Sequence, residues 1–489
     1  MIHKSYSSLL ILSLLWAVVA CTAHKQTHSP TVKVITTTGD RSKEFKTDTL
    51  ALFSADKTPN ANITLKTTEK FQTVYGFGSA ITGSTCYNLM QMSPADRKNF
   101  LTQTFSETEG FGQNYVRVSI GCSDFSLSEY TLCDTKGIEH FALTQEETKY
   151  VIPILKEILA INPKVQIIGS PWTPPRWMKV NNLTDLQPYN HWTSGQLNPA
   201  HYQDYALYFA KWLQAMKDNG LNVNAITIQN EPLNRGNSVS MYMGWDEQLA
   251  FIKSALGKTL HDKGFAEVKI YLFDHNYNYD NMPSQQQYPL HIYKDADASQ
   301  YVAGAAYHNY GGNPDELNNI HNQYPNKELI FTESSIGTWN DGRNLERRLT
   351  EDMQELGIKT LNNHCKSVMV WNLMLDEHGA PNREGGCKTC FGAVDIQTSD
   401  YKTMQRNSHY YVISHLSAVI KQGATRIGVE KTTDDNVQCT AFQNPDGSLA
   451  CVLLNKKKEA THLTLSTGKQ YFSYEVPANS VVSFLIPKI

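Results

Sequence analysis

Between about residue 71 and residue 414, short β-branched runs alternate with longer helical patterns, which points to βα units and a parallel sheet. Eight such runs can be counted, at residues 74–77, 115–120, 166–169, 223–229, 269–273, 301–307, 328–332 and 367–372. Eight is the number that closes a barrel. A doubly wound open sheet also uses βα units, but nearly every run here ends in polar or aromatic residues, as the functional face of a barrel does. The expected fold class is therefore α/β, a (β/α)8 TIM barrel over residues 71–414.

One unit shows the pattern. Residues 166–169 read as a buried strand, and the later stretch puts Tyr205, Phe209, Trp212, Leu213 and Met216 on one helical face that Gly220 ends. Residues 223–229 then run directly into Asn230-Glu231-Pro232, so polar groups arrive where the apolar run stops. Ser93 before Pro94 marks one helix start, and Thr144 with Glu147 a capping box at another. Pro153 inside that second pattern demands a late start or a kink. The two ends of the chain, 32–70 and 415–489, hold alternating strands and tight turns, and should assemble together into one flanking β-sandwich.

With 489 residues, 19% of them charged, and a formal net charge of −3, the chain lacks the basic balance that nucleic acid would select, and an uncharged ligand fits better. Residues 1–20 look like a leader whose apolar run is too short to span a bilayer. It closes on Val18, Val19, Ala20 and Cys21, which resembles a lipoprotein cleavage and acylation site, with 21–31 as a tether. An exported protein, held to the membrane through a lipid on Cys21 only, is expected. Of the remaining cysteines, Cys387 and Cys390 are expected to staple a loop, Cys122 and Cys133 are positioned to pair, and Cys439 and Cys451 read as core residues.

Two carboxylates stand just past the fourth and seventh runs: Glu231 in Thr-Ile-Gln-Asn-Glu-Pro and Glu333 in Phe-Thr-Glu-Ser. Cleavage of an acetal between sugars needs this pair, one carboxyl to protonate the leaving oxygen and one to meet the oxocarbenium-like carbon, and no metal. A glutamate viewed singly is more often structural. The two together, at strand ends of an eightfold pattern and with Asn230 beside one of them, carry the inference. Sugar pockets combine aromatic platforms with polar groups, and Arg117, Asp124, Trp172, Trp177, His308, Tyr310 and Trp371 all lie within or just beyond the runs. Competing motifs are poor: Gly257-Lys-Thr259 lacks the upstream glycine of a phosphate loop, Gly76-Phe-Gly78 lacks the third glycine of a dinucleotide fingerprint, and no cofactor or metal is implied.

The segments VYGFGSAIT at 74–82, YVRV at 115–118, CSDFS at 122–126, SPWTP at 170–174, Asn230-Glu-Pro232, Thr332-Glu333 and Trp371-Asn-Leu373, in this order, resemble glycoside hydrolase family 30, which includes glucosylceramidases and microbial β-1,6-glucanases. The resemblance covers most of the chain. It implies that Glu231 is the general acid/base and Glu333 the nucleophile of a retaining hydrolysis, with Arg117, Asp124, Trp172, Asn230, His308, Tyr310 and Trp371 around a glucose pocket. It also implies a barrel flanked by a β-sandwich built from both termini. Retention calls for carboxylates about 5 to 5.5 Å apart and for an acid whose pKa is raised. An exported lipoprotein suits an outside glycan, and the stretch 334–339 and the loop 385–390 look closer to the β-1,6-glucanases, so endo-hydrolysis of β-1,6-glucan is the leading expectation. The alternatives are an exo-acting β-glucosidase or glucosylceramidase, and a surface lipoprotein that binds glycan without cleaving it.

Overall fold

The computed structural model describes residues 1–2, 30–54, 60–277 and 282–488. Cys21, all of the leader but its first two residues and all of the tether but its last two lie outside the described residues.

Eight parallel strands close a barrel in sequence order: Gly76–Ala80, Tyr115–Ser119, Gln166–Ser170, Ala225–Thr227, Lys269–Asn276, Gly304–His308, Glu328–Glu333 and Cys365–Asn372. All eight expected runs contribute a strand. Tyr115, Ile168, Ala225, Tyr271, Ala306, Ile330 and Met369, one from each of seven strands, form a packed cluster separate from the larger strand–helix core, as expected for side chains filling a barrel interior. At the N-terminal mouth Glu328 accepts hydrogen bonds from Tyr271 at 2.6 Å and Lys269 at 3.0 Å, with Lys366 and Tyr75 also on its carboxylate. Closing that end with a satisfied polar cluster leaves the C-terminal mouth for ligands.

The outer helices follow the apolar stripes. Tyr205, Phe209, Trp212, Leu213 and Met216 are all buried on Tyr202–Asp218, and Gly220, at φ +79°, turns the chain out of it. Ser93 caps Pro94–Phe105 by accepting from the Asp96 amide. The Glu147 carboxylate reaches back to the Thr144 amide at 2.8 Å. A wide π-type turn, Glu147–Val151, then precedes the α-helix Ile152–Ile161, which places Pro153 in the first α-helical turn, where a missing amide costs little.

Both chain ends build one ten-stranded sheet. Thr31–Thr38 lies between Lys46–Ala51 and Ser480–Ile486, and Ile63–Thr73 lies between Thr425–Lys431 and Thr461–Ser466. Val34, Ile63, Leu65, Leu453, Phe472 and Phe484 share its core, so residues from the two ends bury one another. The strand Ile63–Thr73 and the helix Ser408–Val419 run through the expected domain limits at 70/71 and 414/415. That helix is buried nearly all round because it fills the seam: His415 shares hydrogen bonds with Ser483 at 2.8 Å and Thr37 at 2.9 Å in the sheet, while Tyr410 meets Thr104 in the barrel layer.

Cys387 and Cys390 are disulfide-bonded. Cys122 and Cys133, in contrast to expectation, are both free and buried. Their loop is closed without a covalent link: Asp134 accepts from the Thr131 amide and hydroxyl at 3.1 and 2.6 Å, and the Cys133 thiol is directed at the Gly137 carbonyl at 3.1 Å. Cys439 and Cys451 sit in the sheet core.

Candidate active site

Strand ends bring the polar groups to one mouth of the barrel. At the centre is Asp274, fully buried in the fifth strand, whose carboxylate accepts from Arg117 at 2.8 Å, Thr227 at 2.7 Å, Thr332 at 2.6 Å and Ser170 at 3.2 Å, and meets His308 Nε2 at 3.1 Å. Five strands are thus tied to one carboxylate. Burial opposes its charge, but Arg117 and His308 hold its pKa well below the ordinary range.

Arg117 is also completely buried and radiates from this centre. It donates to Ser170 Oγ at 3.1 Å, to Asn230 Oδ1 at 2.7 Å and, through Nη1, to Glu333 Oε2. Its guanidinium packs 4.8 Å from the Trp172 ring centre and 5.6 Å from that of Trp371, and the two indoles stack at 5.2 Å. A planar cation that makes forked hydrogen bonds and stacks on aromatics is needed here, which lysine cannot supply.

Glu231 takes φ +45°, a left-handed conformation that swings the chain sharply out of the fourth strand; its amide donates to the Asp274 carbonyl at 2.9 Å. Such backbone costs about 1 to 3 kcal/mol and persists where its surroundings impose it. The Glu231 carboxylate accepts from Asn234 at 2.9 Å and Asn237 at 2.7 Å, and its other oxygen lies 3.2 Å from His308 Nδ1. Glu333 accepts from the Tyr310 hydroxyl at 2.9 Å in addition to Arg117. One oxygen of Glu231, one of Glu333 and a His308 ring nitrogen all lie within 4.8 Å of one another. Those three groups have the composition of a metal site, yet the two glutamates already accept from amide, hydroxyl and guanidinium donors, both His308 nitrogens face carboxylates, and the adjacent Arg117 charge opposes a second cation.

The ionisation pattern departs from expectation. Burial pushes the Glu231 carboxyl up, but the His308 hydrogen bond, the His275 and His308 charges and the Asn234 amide outweigh it, leaving a pKa of about 2. Burial pushes His308 down, while Glu333, Asp274 and Glu231 around it raise it to about 9. Because His308 Nε2 faces the ionised Asp274, one proton is shared between His308 Nδ1 and Glu231, and it rests on the histidine. Glu333 is raised chiefly by burial, against the His308 and Arg117 charges. Asp124 is raised to about 7, by burial and then by the Glu333 charge.

A cleft of about 300 Å³ opens over these groups, lined by Asp124, Glu231, Tyr310, Glu333 and Trp371 among others. Arg117, Asn230 and His308 lie buried behind that lining. So does Trp172, only 2% exposed, which supports Arg117 and offers no open face to a sugar. Tyr310 is 42% exposed, although its hydroxyl reaches down to Glu333. Trp177 is outside the cleft: its indole donates to the Cys133 carbonyl at 2.8 Å and meets His201 edge-on. Asp274, Asn234, Asn237, His275, Asn276 and Trp339 belong to the site or its rim and were not among the expected pocket residues.

A family model described as the glycosyl hydrolase family 30 TIM-barrel domain matches residues 74–420, and one described as that family's beta sandwich domain matches 423–484. The chain is 32% identical over 440 residues to endo-1,6-beta-D-glucanase BGN16.3 of Trichoderma harzianum, covering 86% of this chain and 85% of that protein. It is 28% identical to the lysosomal acid glucosylceramidase of Mus musculus over 86% of this chain and 83% of that one. The solved structure of the endo-beta1,6-glucanase BT3312 superposes with a TM-score of 0.90 at 59% identity, covering 94% of this chain and 99% of that one.

Proposed function

Given that this chain belongs to glycosyl hydrolase family 30, we propose that it cleaves β-1,6-glucan internally by double displacement, with Glu333 as nucleophile and Glu231 as acid and then base. The observation that carries the reading is the approach of the two carboxylates within 4.8 Å across the barrel mouth, close enough for one to attack the anomeric carbon while the other serves the bond being broken.

In the first step a Glu333 oxygen bonds to C1 of the glucosyl unit as the C1–O bond to the departing chain breaks. Arg117 and Tyr310 fix the attacking carboxylate. Glu231 takes the shared proton from His308 Nδ1 across their 3.2 Å contact and passes it to the departing oxygen, which leaves Glu231 an ionised carboxylate for the second step. In the second step a water oxygen attacks C1, Glu231 accepts the water's proton, and the ester to Glu333 breaks to return the carboxylate. Asn230 accepts from Arg117 through Oδ1, which leaves its amide nitrogen to donate to the sugar 2-hydroxyl. Asp124 and Trp371 contribute a carboxylate and an aromatic ring to the glucose site from the cleft wall.

The proton inventory gives a bell-shaped rate profile. Glu333, raised above the ordinary glutamate value, takes up a proton and stops attacking as pH falls; His308 surrenders the shared proton as pH rises through about 9. In His308→Gln the proton has only Glu231 to hold it, so the alkaline limb of kcat/KM is expected to move down by at least about one pH unit. An alkaline limb that stays in place would show that Glu231 holds its proton without the histidine.

The β-1,6 linkage is supported by the names of the Trichoderma relative and of the 59%-identical structure. Product analysis on linear β-1,6-glucan, beside β-1,3-glucan, β-1,4-glucan and glucosylceramide, tests it. Early oligosaccharides from the β-1,6 polymer alone are expected; glucose alone, or cleavage of glucosylceramide alone, would favour the exo-acting reading. Acylation at Cys21, as the run Val18-Val19-Ala20-Cys21 implies, would place this enzyme on an exported membrane face, and release of a Cys21→Ser variant from the membrane fraction tests that anchor.

A further inference from the structure

Trp339 has an unusual combination of properties: its indole is 52% exposed, it lines the same cleft as Glu231 and Glu333, and the segment that carries it is fastened on several sides. It sits six residues past Glu333 in a short 3-10 turn, Thr338–Asn340. Just before that turn, Ile336 and Gly337 pair antiparallel with Phe391 and Cys390. The Thr338 amide donates to the Thr389 carbonyl at 2.9 Å, and Asn340 accepts from the Gly337 amide at 3.0 Å. The Cys387–Cys390 disulfide closes the partner strand into a small loop. Behind it, the Arg343 guanidinium lies 3.8 Å from the Phe391 ring centre and donates to Asp395 at 2.7 Å.

Gly337 shows how closely the indole is seated. A Cβ there would come within 2.0 Å of Trp339 Cζ3 and 2.3 Å of the Thr389 carbonyl oxygen, so only glycine lets the ring lie against this hairpin. An exposed indole without such support would be free to change rotamer and would lose entropy on meeting a ligand. A pre-positioned ring at a sugar cleft has a direct physical use, since the C–H faces of a pyranose pack on aromatic surfaces while its hydroxyls point outward.

We propose that Trp339, held in place by the Cys387–Cys390 loop, is the stacking platform for a glucosyl unit adjoining the one bound between Glu231 and Glu333. The disulfide is then a positioning element for chain recognition rather than a generic staple. The proposal rests on the reading of the cleft as a β-1,6-glucan site.

The test compares two substrates. β-Glucosyl fluoride fills only the reacting site and has a one-atom leaving group; a six-unit β-1,6-linked gluco-oligosaccharide extends beyond it. Trp339→Ala is expected to lower kcat/KM on the oligosaccharide about ten-fold, mostly through KM, with a loss of no more than about three-fold on the fluoride. Trp339→Phe should recover most of the loss. Replacing both Cys387 and Cys390 by serine should reproduce part of it, and the losses should not add when combined with Trp339→Ala, because the loop acts through the ring. Equal losses on both substrates would assign Trp339 to the integrity of the reacting site and overturn the proposal, as would an unchanged rate on the oligosaccharide. Additive losses would overturn the positioning role of the disulfide. A wild-type enzyme that hydrolyses the fluoride and leaves the oligosaccharide intact would instead refute the β-1,6 reading, and this proposal with it.

Discussion

Glu333→Gln is expected to lower kcat/KM on every β-glucoside by more than about 10⁴-fold, with the fold retained. The amide has nearly the carboxylate's shape: its oxygen can still accept from Arg117 while its NH2 donates to the Tyr310 hydroxyl oxygen, so both groups that hold Glu333 in place keep a partner. What it lacks is a charged oxygen able to form an ester with C1. Removing one negative charge from a site that also holds Asp274 and Glu231 relieves repulsion, so a loss of this size cannot be attributed to unfolding if the thermal transition stays in place. Initial rates on purified variant, free of wild-type enzyme, check it; near-normal turnover would mean that the nucleophile lies elsewhere.

The second large effect concerns stability as well as rate. Arg117→Met is expected to destabilise the protein by about 3 to 5 kcal/mol and to reduce turnover by at least about 100-fold. Arg117 and Asp274 are both fully buried, and the guanidinium is the hydrogen-bonding cation shared by Asp274 and Glu333. A methionine fills much of the volume beneath Trp172 and Trp371 but leaves Glu333 without its hydrogen-bonded cation and Asp274 with His308 alone as counter-charge. Arg117→Lys should recover little of the rate, since one ammonium cannot reach Ser170, Asn230, Asp274 and Glu333 together. Denaturant titration and kcat/KM on the same preparations decide whether stability and rate fall together.

The barrel was legible because its strands are buried and β-branched and recur between amphipathic helices, and Glu231 and Glu333 stood out because they follow the apolar runs. Bounds shifted by a few residues; the fourth strand is only Ala225–Thr227, and the fifth extends to Asn276. That extension hid Asp274. The fifth run reads as stopping at Phe273, and the register shift between Phe273 and His275, with Phe273 at φ +70° and Asp274 at φ +57°, turns a polar residue inward where hydropathy gives no signal. Asp274 directly follows the fifth apolar run, as Glu333 directly follows the seventh.

Other differences have the same origin in three-dimensional context. Trp172 reads as a sugar platform because it follows a strand end, but Trp371 and Arg117 cover its faces. Asn234 and Asn237 reach Glu231 only because the left-handed turn at Glu231 folds the loop back. Cys122 and Cys133 bracket a loop, yet hydrogen bonds close it. The raised pKa expected of Glu231 fell instead on His308, since a shared proton settles on whichever partner faces the additional carboxylate, and here that carboxylate is Asp274.

Double displacement through Glu333 is tested most directly by trapping its ester. With 2-deoxy-2-fluoro-β-glucosyl fluoride, the ring fluorine slows both steps while the good leaving group lets the first proceed, so the glycosyl-enzyme accumulates. Peptide mapping by mass spectrometry should then find one fluoroglucosyl group, on the peptide containing Glu333 and on that residue, in step with the loss of activity. A label on Glu231, or inactivation without any covalent label, would contradict this mechanism.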